Sequence, residues 1–333
     1  MPNKTKRKVP AARASSRKTA TTEVDSVRPE DCPDPTASLR DVFKGLRLNS
    51  NRLIYHYCNA GTLLSILEKR TIRFGEASRM NDGEELLWAE KQLRESMRRL
   101  HDRDDVPDGI SVVSKKMLEK IKTEYERIAL NSRQFISCFS TSGDSLSQWR
   151  SYADDAQGFA VGFCPDDLDL PAQLSFVEYD PIEQQNYIMK AIASILNESK
   201  RDSYGIYNFS MDLMYLYGRM SSFKNPAFAD EREVRANHLA GFIMSADALP
   251  CLEYSGGTVH GKDVEDVEIK FRAAGHKVVP YIDFKFQVVS KCALREVWIG
   301  PRCPNSKSDI EVLLGTLGYT GVSVDIAGAK YRR

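Results

Sequence analysis

The sequence predicts an α+β fold, because strand-like and helix-like segments follow one another in an irregular order. Apolar runs with the length and bulk of buried strands occur at 135–139 and 158–163. Longer segments with charged and apolar faces predict helices at about 84–99 and 112–130. A hydrophobic content of 42%, with 14 Phe and 14 Tyr, provides enough bulk for a sizeable core. We therefore expect a mixed fold rather than a regular array of β-α-β units.

Residues 1–36 are predicted to form a disordered basic tail. They are rich in Lys, Arg, Ser, Thr and Pro, and they contain few large apolar residues to offset the entropy of ordering. The first 20 positions carry basic residues and no acidic residue. This tail could contact nucleic acid through phosphate groups, or it could serve only to keep the protein in solution. The remaining residues, 37–333, are predicted to form a single domain.

Composition restricts the class of protein. A net charge of +1 argues against a protein that binds polyanions over its whole surface. The seven cysteines are scattered without a C-x-x-C pair, which predicts reduced thiols rather than a disulfide framework or a zinc site. The five histidines lack metal-ligand spacing, and the sequence has neither an apolar leader nor an 18-residue apolar run. We expect a cytoplasmic protein without a metal or a membrane partner.

The folded part is expected to begin with a strand, a helix and a second strand. Residues 53–57 have a strand pattern, and Asn59 is placed to cap a helix whose apolar residues share one face. Another strand is expected at 71–74. The following turn, 81–85, reads Asn-Asp-Gly-Glu-Glu. Asp82 as a helix cap, with acidic residues in the first turn, explains this turn without any ligand.

The second half is predicted to contain a helical insertion and then more strands. The insertion covers about 183–220 and is rich in Tyr and Met, as expected for helices that pack into a core. Strands are expected at 173–178, 284–289, 296–299 and 322–324, with a helix at 308–317 between the last two. The string GGTVHGK at 256–262 superficially matches a phosphate-binding loop, but Asp263 replaces the hydroxyl residue that would hold magnesium.

The segment 137–163 is the first candidate for function. Asp144 or Ser145 could cap a short helix that carries Trp149, Arg150 and Tyr152. A surface that combines Trp, Arg and Tyr is typical of sites for planar, anionic ligands. Alternatively, the Trp and Tyr side chains fill the core.

His56 is the second candidate. In the Tyr-His-Tyr sequence at 55–57, strand alternation sends His56 to one face and both tyrosines to the other. A histidine at a strand end beside a helix N-terminus can donate hydrogen bonds to sugar hydroxyls or phosphates. The alternative is a histidine with a purely structural role.

The third candidate is the charged segment 224–235. If residues 231–235 are extended, Glu231, Glu233 and Arg235 project from one face. A carboxylate beside an arginine stays ionised, and it can stabilise positive charge that grows on a sugar ring. The alternative is a solvated helix face with salt bridges.

These motifs, in this order, resemble a widespread bacterial family known only as a domain of unknown function. The resemblance covers about 50–333, and its motifs are Y-H-Y, N-D-x-x-E, C-F-S…W-x-x-Y-A…G-F, Lys…E-x-E-x-R, I-x-G-P and a final Y-R; here they are Tyr55–Tyr57, Asn81–Glu85, Cys138–Phe163, Lys224–Arg235, Ile299–Pro301 and Tyr331–Arg332. The small polar and Pro residues that usually precede the final Y-R are replaced here by Ala-Gly-Ala-Lys at 327–330.

The start of the domain also resembles ADP-ribosyltransferases, including bacterial toxins that modify nucleic acid. This second resemblance implies a split β core and NAD as a substrate. It gives His56 the role of anchoring a ribose hydroxyl, with Tyr57 in the same cofactor site. Glu233 or Glu231 would stabilise the oxocarbenium-like ribosyl centre. The resemblance leaves the remaining roles open: Tyr152 or Trp149 would stack on nicotinamide, and Arg150 or Arg235 would face the pyrophosphate.

The resemblance therefore implies transfer of ADP-ribose from NAD to a macromolecule, as a toxin or anti-phage defence effector. Nucleic acid is the first acceptor to test because of the basic tail, protein is the second, and an antitoxin or defence-system partner is possible. One alternative is a metal-dependent nuclease or phosphodiesterase that uses His56, Asp82, Glu84 and Arg150. The other is a non-catalytic nucleotide-binding module in which Trp149 and Tyr152 bind a base.

Overall fold

A computed structural model of the protein describes residues 38–48, 52–79, 85–244, 249–254, 257–259, 262–264, 267–286 and 292–328. The predicted tail at 1–36, most of the turn at 81–85, parts of the string at 256–262 and the final Y-R pair at 331–332 lie outside these residues. None of the described helices has the combination of length and apolar character needed to cross a membrane.

One set of helices packs against the sheet, and a second set packs together in a separate helical layer. Asn59 caps the second helix as predicted, since its side chain accepts a hydrogen bond from the Thr62 N–H. The helices are α1 (Leu39–Val42), α2 (Ala60–Lys69), α3 (Glu85–Asp102), α4 (Lys115–Asn131), α5 (Leu146–Tyr152), α6 (Pro181–Glu198), α7 (Ile206–Arg219) and α8 (Lys307–Thr316).

The strands form one large sheet and one small hairpin. They are β1 (Ile54–Cys58), β2 (Thr71–Glu76), β3 (Ser132–Ser140), β4 (Phe159–Phe163), β5 (Leu174–Phe176), β6 (Glu233–Met244), β7 (Pro250–Glu253), β8 (Gly257–Val259), β9 (Lys262–Val264), β10 (Lys270–Ala274), β11 (Lys277–Lys285), β12 (Leu294–Ile299) and β13 (Ser323–Ile326). The hairpin is β8–β9, and the other eleven strands belong to the sheet.

The large sheet is open and mixed. Its main path runs β10-β11-β2-β3-β1-β4-β12-β13, and β6 pairs with β3 while also carrying β5 and β7. Of the strand pairs in the described residues, β12–β13 is parallel and the others are antiparallel. The expected mixture of helices and strands is therefore confirmed.

The sheet divides at β3. β6 pairs with all of 132–140, so it occupies one complete edge of β3. A strand has only two hydrogen-bonding edges, and therefore β1 and β2 share the opposite edge. β2 pairs there with Phe135 and Ile136, whereas β1 pairs only with Ser140. Within the described residues, the intervening edge at 137–139 has no partner strand, which leaves a gap between β1 and β2.

Three groups of buried side chains hold the layers together. The largest packs the sheet against α2 and α8. The second joins α1, α3 and α4 to the two helices that occupy the predicted insertion, α6 and α7. The third is small and surrounds Trp149 and Tyr57 beside α5. This third group fixes α5 against β1 and β4, near the gap.

Two sequence expectations about strands need correction. The extended segment expected at 231–235 begins only at Glu233, because Glu231 ends a 3₁₀ turn. Of the strand expected at 284–289, residues 284 and 285 are the end of β11, which starts earlier, at Lys277, and residues 287–289 lie outside the described residues. Pro280 inside β11 weakens the sequence signal, since proline is confined to edge strands and bulges in most sheets.

Candidate functional site

A cleft of about 600 Å³ opens where β1 and β2 separate along β3. Side chains from β1, α2, β2, β3 and α5 line it, together with the charged segment 224–235 and the β10–β11 hairpin. Its volume lies within the range of small-molecule sites in proteins. Of the predicted site residues, the cleft brings together His56, Tyr57, Tyr152, Glu231, Glu233 and Arg235.

His56 lies half-buried at this gap, with the edge of its ring toward Phe139. Its Nδ1 is 2.9 Å from the carbonyl oxygen of Cys138, in the part of β3 that lies at the gap between β1 and β2. A carbonyl only accepts, so Nδ1 carries the proton and Nε2 presents a lone pair. Burial lowers the pKa of His56, and the hydrogen bond to Cys138 opposes this effect only in part. The neutral imidazole can therefore accept a hydrogen bond through Nε2, whereas the sequence had suggested donation.

Four charged side chains, Lys224, Glu231, Glu233 and Arg235, form a buried charge cluster at one end of the cleft. Lys224 Nζ lies 2.5 Å from Glu231 Oε2 and 3.1 Å from Glu233 Oε2. Arg235 holds Glu233 through two bonds, Nε to Oε1 at 2.7 Å and Nη2 to Oε2 at 3.0 Å. The side chains of Lys224 and Arg235 are 3% and 2% exposed. Two cations thus balance two anions away from water.

A short backbone reversal brings the two carboxylates together. Asn225 caps the 3₁₀ turn 226–231 by accepting a hydrogen bond from the Ala227 N–H at 3.0 Å. Arg232 then adopts a left-handed conformation with φ of 46°, so its own side chain is exposed while its neighbours face inward. Ser140 Oγ fixes the turn to β3 by donating to the Glu231 carbonyl at 2.8 Å.

The carboxylates of Glu231 and Glu233 differ in how many hydrogen bonds they already accept. Burial alone would raise the pKa of Glu233, but Arg235 and Lys224 outweigh it and lower the pKa to about 2. Glu231 accepts one bond at each oxygen, from Lys224 and from the Tyr152 hydroxyl at 2.8 Å. A carboxylate oxygen can accept two hydrogen bonds, so Glu231 can still accept a further bond at each oxygen. In Glu233, Arg235 donates to both oxygens and leaves less acceptor capacity.

The aromatic residues have separate roles. Trp149 is 0% exposed, packs edge-on against Tyr57 and donates from Nε1 to Asp144 at 2.8 Å. It cannot stack on a ligand, so that candidate role is wrong, and the alternative of a core side chain holds. Tyr57 donates to the Ser142 carbonyl and accepts from the Ser145 N–H, which fixes the start of α5. Tyr152 is half-buried and faces the cleft, and burial raises the pKa of its hydroxyl.

Neither arginine assigned to the pyrophosphate offers an unoccupied guanidinium group to the cleft. Arg150 is exposed and is not among the residues that line the cleft. Arg235 is buried and paired with Glu233. The sequence missed three arginines that do line the cleft: Arg73, Arg79 and Arg272. Their signal was weak because nothing in the sequence indicates that the β10–β11 hairpin lies beside β2.

The metal-dependent nuclease alternative stays a prediction, because two of its four assigned residues are outside the part of the chain that the structure describes. It assigned roles to His56, Asp82, Glu84 and Arg150; the two acidic residues lie outside the described residues, and Arg150 lies away from the cleft. Among the residues that the structure describes, no group of three or more His, Cys, Asp or Glu side chains could hold a metal ion.

A left-handed turn anchors α5 from its C-terminal side. Asp154, Asp155 and Ala156 have φ values of 51°, 50° and 69°. The Ala156 N–H donates to the Trp149 carbonyl at 2.8 Å, which closes the turn onto the helix. Gly158 follows where any side chain would clash, since a Cβ there would lie 2.2 Å from the Cys58 carbonyl oxygen. This explains the glycine that follows the W-x-x-Y-A motif.

Comparison with known proteins finds one family model that matches part of the chain. The model of a family described as "Protein of unknown function (DUF2971)" matches residues 148–236. No curated protein and no solved structure matches the chain. The resemblance to ADP-ribosyltransferases therefore stays a prediction. The matched segment contains most of α5, all of α6 and α7, and the buried charge cluster, so this part of the chain is similar to a family of unknown function.

Proposed function

We propose that the protein transfers the ADP-ribosyl group of NAD to a macromolecule. The observation that carries this proposal is the meeting of His56, Tyr152 and Glu231 in one cleft, although they come from three distant parts of the chain. The gap between β1 and β2 supports the finer expectation of an ADP-ribosyltransferase-like split β core. The toxin or defence role remains part of this proposal.

The reaction needs stabilisation of positive charge rather than a strong acid. The bond between the nicotinamide nitrogen and ribose C1′ breaks, and nicotinamide leaves with the electron pair. A nucleophile of the acceptor then bonds to C1′ and releases its proton. Between these events C1′ has oxocarbenium character, which an ionised carboxylate in a water-poor cleft stabilises.

Glu231 is the carboxylate that we assign to this step. It retains acceptor capacity, as described above, and Tyr152 and Lys224 fix its orientation. Glu233 is a positioning residue, since it holds Lys224 and Arg235 in place. His56 would accept a hydrogen bond from a ribose hydroxyl through Nε2, and this hydrogen bond would orient the sugar.

Tyr152 is the aromatic side chain available for contact with nicotinamide, since Trp149 is sealed in the core. The acceptor is proposed to be nucleic acid, with protein as the second choice, because the basic tail would favour phosphate-rich partners.

The test is incubation of the full chain with NAD labelled in the adenylate phosphate, together with RNA, DNA or total protein. We expect label in one macromolecular fraction and an equal amount of free nicotinamide. Glu231→Gln should lower the rate by about 10²–10³-fold, the usual effect of removing one electrostatic contact from a transition state.

The matched control is Glu311→Gln, which removes an exposed carboxylate from α8. It should leave the rate unchanged, and circular dichroism should show that both variants are folded. Nicotinamide release without labelled macromolecule would indicate NAD hydrolysis instead. A Glu231→Gln protein that is folded and transfers label at the normal rate would refute the assignment.

A further inference from the structure

The end of the cleft opposite the buried charge cluster carries arginines whose positive charge is not fully balanced by nearby carboxylates. Arg272 on β10 and Arg73 on β2 project from the same face of the sheet. Lys270 opposes Tyr281 in the β10–β11 pair, so Arg272, two residues later, lies on the face of Tyr281. The Arg73 guanidinium lies over the Tyr281 ring, 4.0 Å from its centroid. Both arginines line the cleft.

Their ion pairs differ. Arg73 is held by Asp283 at 2.9 Å. Arg79, also in the lining, shares Glu76 with Arg133 at 3.6 Å and 3.5 Å, so two cations face one carboxylate. The Arg272 side chain is exposed and makes no ion pair or hydrogen bond with any residue of the described part of the chain. This end therefore has an excess of positive charge, whereas the buried charge cluster is balanced.

The spacing suits a ligand that spans both ends. The path from β10 to β6 crosses four strand intervals, which corresponds to roughly 19 Å between backbones. An arginine side chain reaches several ångströms inward, and the volume of about 600 Å³ is large enough for a dinucleotide. One extended ligand could thus place a phosphate at Arg272 and a sugar near Glu231.

We propose that Arg272, supported by Arg73, binds the diphosphate of the nucleotide substrate. The planar guanidinium matches phosphate oxygens with paired hydrogen bonds. This inference rests on the proposed function, and it assigns the role that Arg150 and Arg235 cannot fill. Arg73 orients the site from its position on Asp283 and Tyr281, while Arg272 is the unpaired cation that the phosphates neutralise.

The experiment is calorimetric titration of the full chain with ADP and with adenosine. Arg272→Gln should weaken ADP binding at least tenfold and leave adenosine binding unchanged. The control is Lys277→Gln, which removes an exposed charge on the same face of the same hairpin, outside the cleft lining. The control should bind ADP normally. Of the two variants, Arg272→Gln should be the one whose ADP binding depends less on salt than that of the unaltered protein.

Equal loss of ADP and adenosine, or an unchanged affinity for ADP, would overturn the inference. So would failure of the unaltered protein to bind ADP. Equal losses in both variants for a single-stranded oligonucleotide, with ADP binding intact, would assign the hairpin to nucleic acid instead.

The same variants separate this inference from the proposed function. If Arg272→Gln loses ADP while the unaltered protein never consumes NAD, the phosphate site stands and the transfer reaction fails. If NAD is consumed and Arg272→Gln keeps the normal KM, the reaction stands and the phosphate site is wrong.

Discussion

Lys224→Met tests whether one buried cation holds the two carboxylates of the cleft together. The methionine retains an apolar stem of similar length but loses both bonds, at 2.5 Å to Glu231 and 3.1 Å to Glu233. The lysine side chain is 3% exposed, so water cannot replace it. Removing one partner of a buried ion pair leaves an uncompensated charge, and we expect a loss of about 3–5 kcal/mol in the free energy of unfolding at pH 7.5.

The loss should depend on pH. In the unaltered protein the pKa of Glu233 is about 2, below its ordinary 4.5, so the stabilisation is present above pH 4.5 and is lost as pH falls toward 2. In Lys224→Met, Glu231 and Glu233 lose the cation that lies between them, so we expect one of the two to retain its proton to a higher pH than in the unfolded chain. Acidification then stabilises the variant, and the difference between the two proteins narrows.

The assay is urea unfolding followed by tryptophan fluorescence at pH 7.5 and pH 5.0. Lys277→Met, at the exposed start of β11, is the control and should change little. Adding Glu231→Gln to Lys224→Met should restore about 1–3 kcal/mol, because it removes the uncompensated charge. A loss below about 1 kcal/mol, or a difference that is the same at both pH values, would refute the electrostatic account.

Two further predictions concern stability. Burial lowers the pKa of His238 to about 4, so acidification from pH 6.5 to pH 4 should remove up to about 3 kcal/mol of stability, and urea unfolding of His238→Phe should show a weaker dependence in that window. At the left-handed Asp154, Asp154→Val should lower the free energy of unfolding by about 1–2 kcal/mol, whereas Asp154→Gly should stay within about 0.5 kcal/mol; equal effects in thermal unfolding would contradict the backbone argument.

Local signals in the sequence were sufficient for the centre of the fold. The α2 helix follows from Asn59 and from apolar residues at helical spacing, and both features act within a few residues. The strands at β3 and β4 follow from continuous apolar runs that are buried on both faces. The expectation that segments 55–57 and 224–235 meet came from the resemblance to ADP-ribosyltransferases, because no local pattern encodes which strands become neighbours.

The missed features depend on tertiary contacts. Trp149 and Arg150 are adjacent in a short helix, and composition does not tell which one faces the core. The sequence places Arg235 on the same face as Glu233, but it does not show that burial commits Arg235 to this carboxylate. The β10 strand has one large apolar residue, the exposed Phe271, beside Arg272 and two alanines, so its pattern is too weak to predict a strand at the sheet edge.

The left-handed turn at 154–156 also connects α5, which lines the cleft, to the last third of the chain. Arg302 donates its backbone N–H to the Ala156 carbonyl, and Gly300 donates to the Gly158 carbonyl. Gly328 adds a bond to Asp144, just before α5. Shortening the protein after β12 would therefore loosen Tyr152 and Gln148 without touching them. Domain trimming for crystallisation should keep this segment.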